Sequence, residues 1–146
     1  MDLNTLYRTV IMDNYKNPKN KGLTHNDDYH FVHLNNPSCG DEMNVEVKVE
    51  DDKIIDIKQD GHGCSISMSS ASVASDLLKG MTIDEALRII NVFFELVQGI
   101  DPKDEDELGE AIAYTGVRQF PARIKCATLA WKAIERALEE VKANVK

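Results

Sequence analysis

Three cysteines and one nearby acid are the residues of this sequence best suited to chemistry. Cys39 lies in a Pro-Ser-Cys-Gly turn, with Asp41 two residues later, and Cys64 ends a Gly-His-Gly-Cys run. Cys126 lies near the start of the last predicted helix. Glycine beside cysteine lets the backbone approach a ligand closely and leaves the thiol accessible. Since two of the three cysteines lie at the ends of elements, the pattern favours a thiolate cluster over three buried apolar side chains.

Metal binding is the chemistry that such a cluster would support. Zn²⁺ accepts cysteine sulfur together with aspartate oxygen, and iron–sulfur clusters also use thiolates. Asp41 is the candidate for a fourth ligand, and His62, two residues before Cys64, is a second candidate that more often has a surface role. The other histidines are expected to be structural or exposed: His25, His30 and His33. The sequence has no CxxC pair, so an ordinary zinc ribbon is excluded.

Two other functions are considered for the same set of ligands. A metal-dependent hydrolase requires an open coordination position and a nearby general base, which four protein ligands do not leave. A structural zinc module that only binds a partner requires no reactive thiol. The residue types alone leave the second of these open.

A predicted β-hairpin brings two of the cysteines together. Residues Met43–Val49 and Lys53–Gln59 both alternate between apolar and polar side chains, and an acidic turn joins them. Cys39 precedes the first strand and Cys64 follows the second. Because these two ends of an antiparallel hairpin lie at the same edge of the sheet, we expect the two thiols to be close. Cys126 joins them if the last helix begins at that edge.

The remaining pattern predicts an α+β domain. A short strand is expected at Tyr29–Leu34, and the acidic segment Asp101–Glu110 is expected to be a solvated loop with a short helix. Residues 111–121 are expected to form an irregular link. Helices are predicted at Asp2–Tyr15, Ser65–Leu78 and Thr82–Gln98, and from Pro121 onward. With 146 residues and no internal repeat, residues 1–146 are predicted to form a single domain.

Composition narrows the range of partners. The formal net charge of −8 argues against nucleic acids and anionic membranes, since both require a basic face. The N-terminus does not resemble a signal peptide, and no apolar run reaches the roughly 20 residues of a membrane span. An odd number of widely spaced cysteines argues against a disulfide framework. We therefore expect a cytoplasmic protein.

Two cations near Cys126 add to the candidate site. Arg123 lies three residues before the cysteine, on the same face of the predicted helix, and Lys125 is adjacent to it. A nearby cation favours thiolate over thiol. Arg123 is therefore a candidate for assisting a reactive sulfur, whereas Lys125 is equally well explained as a solvated charge.

At this point the motifs PSCGD, GHGC with a serine-rich helix, and FPARIKCATLAW resemble the IscU/SufU family of iron–sulfur cluster assembly proteins. The resemblance covers nearly the whole chain. Lys125 stands where the IscU type has a histidine, FPARIK replaces the chaperone-recognised stretch, and the chain from Cys64 to Cys126 is longer around residues 101–114. These departures are similar to the SufU branch.

The resemblance implies a fold and a function. The fold is a small three-stranded antiparallel sheet packed on one side by helices. The residues that match the family's metal ligands are Cys39, Asp41, Cys64 and Cys126, with Zn²⁺ as the ion. The family resemblance implies a zinc-dependent sulfur acceptor, with Cys39 taking persulfide sulfur from a SufS-type, pyridoxal-phosphate-dependent cysteine desulfurase and stimulating it. Downstream scaffold proteins would receive the sulfur. The alternative is a scaffold that holds a transient iron–sulfur cluster.

Overall fold

A three-stranded antiparallel sheet and four α-helices make up the part of the chain that our computed structural model describes, residues 2–144. This architecture confirms the predicted α+β fold. The order along the chain is α1 (Leu3–Lys16), β1 (His30–Asn36), β2 (Asp41–Glu50), β3 (Lys53–His62), α2 (Ser65–Leu78), α3 (Ile83–Val97), a 3₁₀ segment (Glu105–Gln119) and α4 (Pro121–Asn144). Within residues 2–144, no helix is both long and apolar enough to cross a membrane.

The sheet has the strand order β1–β2–β3, and both pairs are antiparallel. A four-residue turn joins β1 to β2, and it contains Cys39 followed by Gly40, whose φ of +73° is in the left-handed region that favours glycine. Glu42 of β2 pairs with His62 of β3, two residues before Cys64. The hairpin therefore brings the chain segments of Cys39 and Cys64 to one edge of the sheet, as predicted.

The strands are longer at this edge than the alternating pattern predicts. β2 begins at Asp41 instead of Met43, and β3 continues to His62 instead of Gln59. Gly61 makes the extension possible, because a Cβ there would overlap the backbone carbonyl of Glu42. Asp41 thus lies within the hydrogen-bonded sheet, which fixes the position of its side chain.

Helices cover one face of the sheet. α4 packs against β1 and β2, α2 packs against β3, and α3 packs against α4 and the 3₁₀ segment. Met43, Val45 and Ile57 of the strands are fully buried in this core. Behind them the rings of Phe93 and Trp131 stack, with their centroids 3.9 Å apart. α4 is therefore held along much of its length, which fixes the position of its first turns.

Residues 101–110 are mostly exposed and include the start of a 3₁₀ helix, in agreement with the predicted solvated loop and short helix, whereas residues 111–119 continue this helix where an irregular link was predicted. The 3₁₀ helix is interrupted at Gly109 and has fully buried side chains at every third position: Leu108, Ala111, Tyr114 and Val117. Their spacing of three residues matches the three residues per turn of a 3₁₀ helix, which places them on one face. The acidic residues before Ala111 made the first part of this segment look like a solvated loop in the sequence. On the exposed side, Arg88 forms ion pairs with Asp104 and Glu107.

The serine-rich helix α2 makes its interhelical contacts through hydroxyl groups. Ser69 bonds to the hydroxyl of Tyr114 at 2.6 Å, and Ser72 donates to Asn14 at 2.7 Å. Ser70 donates to the carbonyl oxygen of Ala127 at 2.6 Å and accepts from the indole of Trp131 at 2.8 Å. Buried hydroxyls require such partners, because an unpaired one costs about 1–3 kcal/mol. Helix α2 therefore packs against its neighbours through specific polar contacts.

Candidate metal centre

Three of the four predicted ligands converge at the edge of the sheet. Single ligand atoms of Cys39, Asp41 and Cys126 all lie within 4.8 Å of one another. The two sulfur atoms are 3.5 Å apart, which is too long for a disulfide bond of about 2.05 Å. The β1–β2 turn, the first residue of β2 and the second turn of α4 therefore contribute one ligand each to a common point.

The turn that carries Cys39 is organised by Asn36. The side-chain amide of Asn36 donates to the Cys39 sulfur at 2.9 Å, and its backbone carbonyl accepts from the amides of Cys39 and Gly40. The hydroxyl of Ser38 donates to the side-chain oxygen of Asn36 at 2.8 Å. Asn36 is buried whereas Cys39 is exposed. The buried side-chain amide of Asn36 therefore holds the accessible sulfur of Cys39. This role of Asn36 was not predicted from the sequence.

Asp41 is buried, with 2% of its surface exposed, and both of its carboxylate oxygens accept hydrogen bonds. The backbone amide of Cys64 donates to Oδ1 at 3.2 Å, and the hydroxyl of Ser67 donates to Oδ2 at 2.5 Å. A buried carboxylate needs such donors, because a buried polar atom without a hydrogen-bond partner is costly. The Asp41 side chain is thus oriented by the segment that carries Cys64.

Gly63 leaves the space that the Asp41 carboxylate occupies, because a Cβ at Gly63 would overlap it. We expect Gly63→Ala to leave the sheet intact but to rotate Asp41 away from the two sulfurs. Orienting contacts of this kind are worth about 10- to 100-fold in metal affinity. Zinc affinity, measured by competition with a chromogenic chelator, should fall by that amount. A folded variant that binds zinc as tightly as the parent chain would contradict this explanation of the glycine.

Cys64 lies beside the group but outside it. Its sulfur is half-buried and 3.7 Å from the hydroxyl of Ser67. Burial opposes ionisation of this thiol, but hydrogen bonds, the largest from the backbone amide of Ser67, outweigh burial, and the pKa of Cys64 is lowered. Cys64 therefore lies near the group, with a thiol that ionises more readily than an ordinary cysteine.

Cys126 has the opposite electrostatic environment. Its side chain is fully buried, and this burial raises the pKa of its thiol, with the Asp41 carboxylate and the Cys39 sulfur adding to the effect. In this environment the Cys126 thiol stays protonated, and a metal cation bound at the sulfur would favour the thiolate instead.

Arg123 is the cation that the structure brings to the sulfurs. The sulfurs of Cys126 and Cys64 raise the pKa of Arg123, because negative charge on them favours its positive charge. Lys125 is exposed and lines, with Cys39 and Arg123, an open groove of about 380 Å³. The groove leaves Cys39 accessible from outside. Arg123 supplies a positive charge on the side of the groove nearest the sulfurs.

None of the four histidines belongs to the group of candidate ligands. His62 is exposed at the end of β3, and His25 is exposed in the loop before β1. The ring of His30 contacts Glu140 at 2.7 Å, and the ring of His33 contacts the side chain of Asn44 at 2.7 Å. Surface contacts thus account for His30 and His33.

The geometry agrees with a tetrahedral zinc site. Two sulfurs bound to one zinc ion at about 2.3 Å and at the tetrahedral angle are about 3.8 Å apart, close to the 3.5 Å between Cys39 and Cys126. A carboxylate oxygen of Asp41 completes a thiolate–thiolate–carboxylate set that Zn²⁺ accepts. The residues present therefore fit a zinc ion, with Cys64 adjacent for the fourth position.

Comparison with known proteins agrees with the fold and shows the family. The family described as NifU-like N terminal domain matches residues 6–146, and the chain belongs to that family. It is 48% identical over 137 residues to the zinc-dependent sulfurtransferase SufU of Bacillus subtilis, covering 94% of this chain and 92% of the relative. It is 44% identical to the iron–sulfur cluster assembly scaffold protein IscU of Streptococcus pyogenes, covering 94% and 85%.

A solved structure from Fervidobacterium islandicum AW-1 has the same fold. That protein is described as a candidate iron–sulfur cluster assembly scaffold for the SUF system. It is 34% identical, has a TM-score of 0.78, and the match covers 92% of this chain and 98% of the other. The predicted fold, a three-stranded antiparallel sheet packed with helices, is thereby confirmed.

Proposed function

We propose that this chain is a zinc-dependent sulfur acceptor in iron–sulfur cluster assembly. The observation that supports it most directly is an exposed thiol, Cys39, placed 3.5 Å from the buried sulfur of Cys126 and near the buried carboxylate of Asp41. Its similarity to a relative named as a zinc-dependent sulfurtransferase agrees with this chemistry. In this proposal residues 1–146 act as a single domain, since the buried apolar side chains of the described residues form one cluster.

The proposed metal ligands are Cys39, Asp41, Cys64 and Cys126. Bound zinc would keep the thiols deprotonated and would stabilise the folded site. The chain contributes the orientation: Asn36 holds the Cys39 sulfur, and the backbone of Cys64 holds Asp41. Cys39 lies in a turn, whereas Asp41 and Cys126 lie within β2 and α4.

The proposed transfer occurs at Cys39, because it is the exposed cysteine and lies in a turn. Its thiolate attacks the outer sulfur of a persulfide on the partner. The partner's sulfur–sulfur bond breaks, a new one forms on Cys39, and the partner's cysteine leaves as a thiolate, so no net oxidation or reduction occurs. Arg123 lies close enough to the other two thiols to offset the negative charge of the site during this step.

The proposed partner is a SufS-type cysteine desulfurase, whose pyridoxal phosphate belongs to the partner and not to this chain. Cysteine desulfurases generate the persulfide that the exposed Cys39 would receive, and docking of this chain would stimulate their turnover by removing sulfur. The groove lined by Cys39, Arg123 and Lys125 gives the partner's sulfur access. The proposed location is the cytoplasm, and the proposed recipients of the sulfur are downstream scaffold proteins.

A second candidate function is assembly of a transient iron–sulfur cluster on this chain. The similarity to IscU of Streptococcus pyogenes, which is named as a scaffold, favours it, and the same thiolates could hold a cluster. Purification without oxygen separates the two functions. A scaffold would contain iron with inorganic sulfide, whereas the sulfur acceptor would contain zinc.

The test of the proposed function uses the zinc-loaded chain, a cysteine desulfurase and cysteine. Peptide mass spectrometry should find the mass of one extra sulfur on the peptide that contains Cys39, and the desulfurase should produce alanine faster when this chain is present. Extra sulfur on the peptide of Cys126 alone would make the assignment of Cys39 wrong. The absence of transferred sulfur together with bound zinc would instead support a structural zinc module.

A further inference from the structure

One hydroxyl group connects two of the candidate ligands. The side chain of Ser67 is 1% exposed, donates to Asp41 Oδ2 at 2.5 Å, and lies 3.7 Å from the sulfur of Cys64. Among the hydrogen bonds of residues 2–144, this is the one made by a side chain to the Asp41 carboxylate. Ser67 therefore contacts the site from the first turn of α2.

A serine hydroxyl has a single proton, so it can donate to one of these two neighbours at a time. The short distance to Asp41 places the proton on that bond, and the oxygen of Ser67 is left to accept from the Cys64 thiol. The bond to Asp41 therefore occupies one carboxylate oxygen.

We propose that Ser67 is a positioning residue of the metal centre: its hydroxyl occupies one oxygen of Asp41, so that Asp41 can offer a single oxygen to the metal beside Cys39 and Cys126. Carboxylate ligands are commonly oriented by hydrogen bonds of this kind. The Cys64 amide, which donates to the other oxygen at 3.2 Å, is the weaker contact and would give way first. Ser67 thereby determines which oxygen coordinates.

This inference rests on the proposed metal site, and its test compares two serines of the same helix. Ser67 and Ser69 are both buried, and each hydroxyl makes one short bond to another side chain, but the bond of Ser69 goes to Tyr114, away from the ligands. Zinc affinity is measured by chelator competition for Ser67→Ala and Ser69→Ala. We expect about a 10- to 100-fold loss for Ser67→Ala and little change for Ser69→Ala.

A spectroscopic measurement separates orientation from general destabilisation. With Co²⁺ in place of zinc, Ser67→Ala should change the visible ligand-field bands, whereas Ser69→Ala should give the parent spectrum. Equal losses of affinity in both variants, or an unchanged Co²⁺ spectrum in Ser67→Ala, would overturn the proposal. A parent chain that binds no zinc would instead contradict the metal site itself, so the two failures are distinguishable.

If Ser67→Ala does not fold, the conservative variant Ser67→Thr provides the test. It keeps a hydroxyl at the same position and is expected to retain most of the parent's zinc affinity and its Co²⁺ spectrum. A folded Ser67→Thr chain with weak zinc binding and an altered spectrum would show that the hydroxyl is not what orients Asp41.

Discussion

Replacing Cys39 by serine is expected to abolish sulfur transfer to this chain while leaving its fold intact. The side chain is exposed in a turn, so the metal-free stability should change by no more than about 0.5 kcal/mol. The serine oxygen can still accept from the Asn36 amide, which holds the turn. A hydroxyl at neutral pH is not a nucleophile toward a persulfide, whereas a thiolate is. After incubation with desulfurase and cysteine, mass spectrometry should find no extra sulfur on the variant.

The control for this variant is Cys64→Ser. It also removes a proposed ligand, but it leaves the Cys39 thiol and the turn that carries it. We expect it to retain less zinc than the parent chain and still to accept sulfur on Cys39. If both variants lose sulfur transfer to the same extent, loss of the metal would explain the result, and Cys39 would have no separate role as acceptor. Extra sulfur on Cys39→Ser itself would contradict the proposal outright.

Replacing Asp41 by alanine is expected to have the largest effect on stability. Without metal, the variant leaves the Cys64 amide and the Ser67 hydroxyl with no acceptor in a buried site, which costs about 1–3 kcal/mol for each unpaired group. With zinc, it also loses a ligand. At a zinc concentration 100 times the dissociation constant, binding stabilises the parent fold by about 2.7 kcal/mol, and most of this should disappear.

Denaturant unfolding with zinc and with a chelator measures both the loss of metal-free stability and the loss of stabilisation by zinc. The difference between the two free energies of unfolding should be large for the parent chain and small for Asp41→Ala. Asp41→Asn is the control, because its amide oxygen still accepts hydrogen bonds while it is a poorer ligand. We expect this control to be nearer the parent in stability without metal and weaker in zinc binding. Undiminished zinc binding in Asp41→Ala would remove Asp41 from the proposed ligand set.

Much of the fold could be predicted from periodic patterns. The alternation in β2 and β3 identified the hairpin, and Pro121 was correctly predicted as the first residue of α4. The part of the 3₁₀ helix after Glu110 was missed because its buried apolar residues recur every third position, which matches neither the helical nor the strand template. Tyr114 is fully buried there, although its neighbours in the sequence were predicted to form an irregular link.

The candidate site was only partly accessible to sequence reasoning. Cysteines beside glycines and an acid at a strand end are visible as residue types, and the hairpin predicts that two of the segments meet. The orienting groups are not visible in this way. Ser67 is one of six serines in a run of small residues, and Asn36 is a common turn residue. What distinguishes them is the direction of their side chains, which depends on how α2 and the β1–β2 turn pack against β2.

The hydrogen bonds of Ser70 connect the fluorescent side chain of Trp131 to the part of α4 next to Cys126. Trp131 is the single tryptophan of the chain, and its indole donates to the Ser70 hydroxyl, which in turn donates to the carbonyl of Ala127, the residue after Cys126. Any shift of the first turns of α4 alters that carbonyl and hence the polarity around the indole. Intrinsic fluorescence can therefore follow events at the sulfurs in real time, without a label and with the native thiols left unmodified.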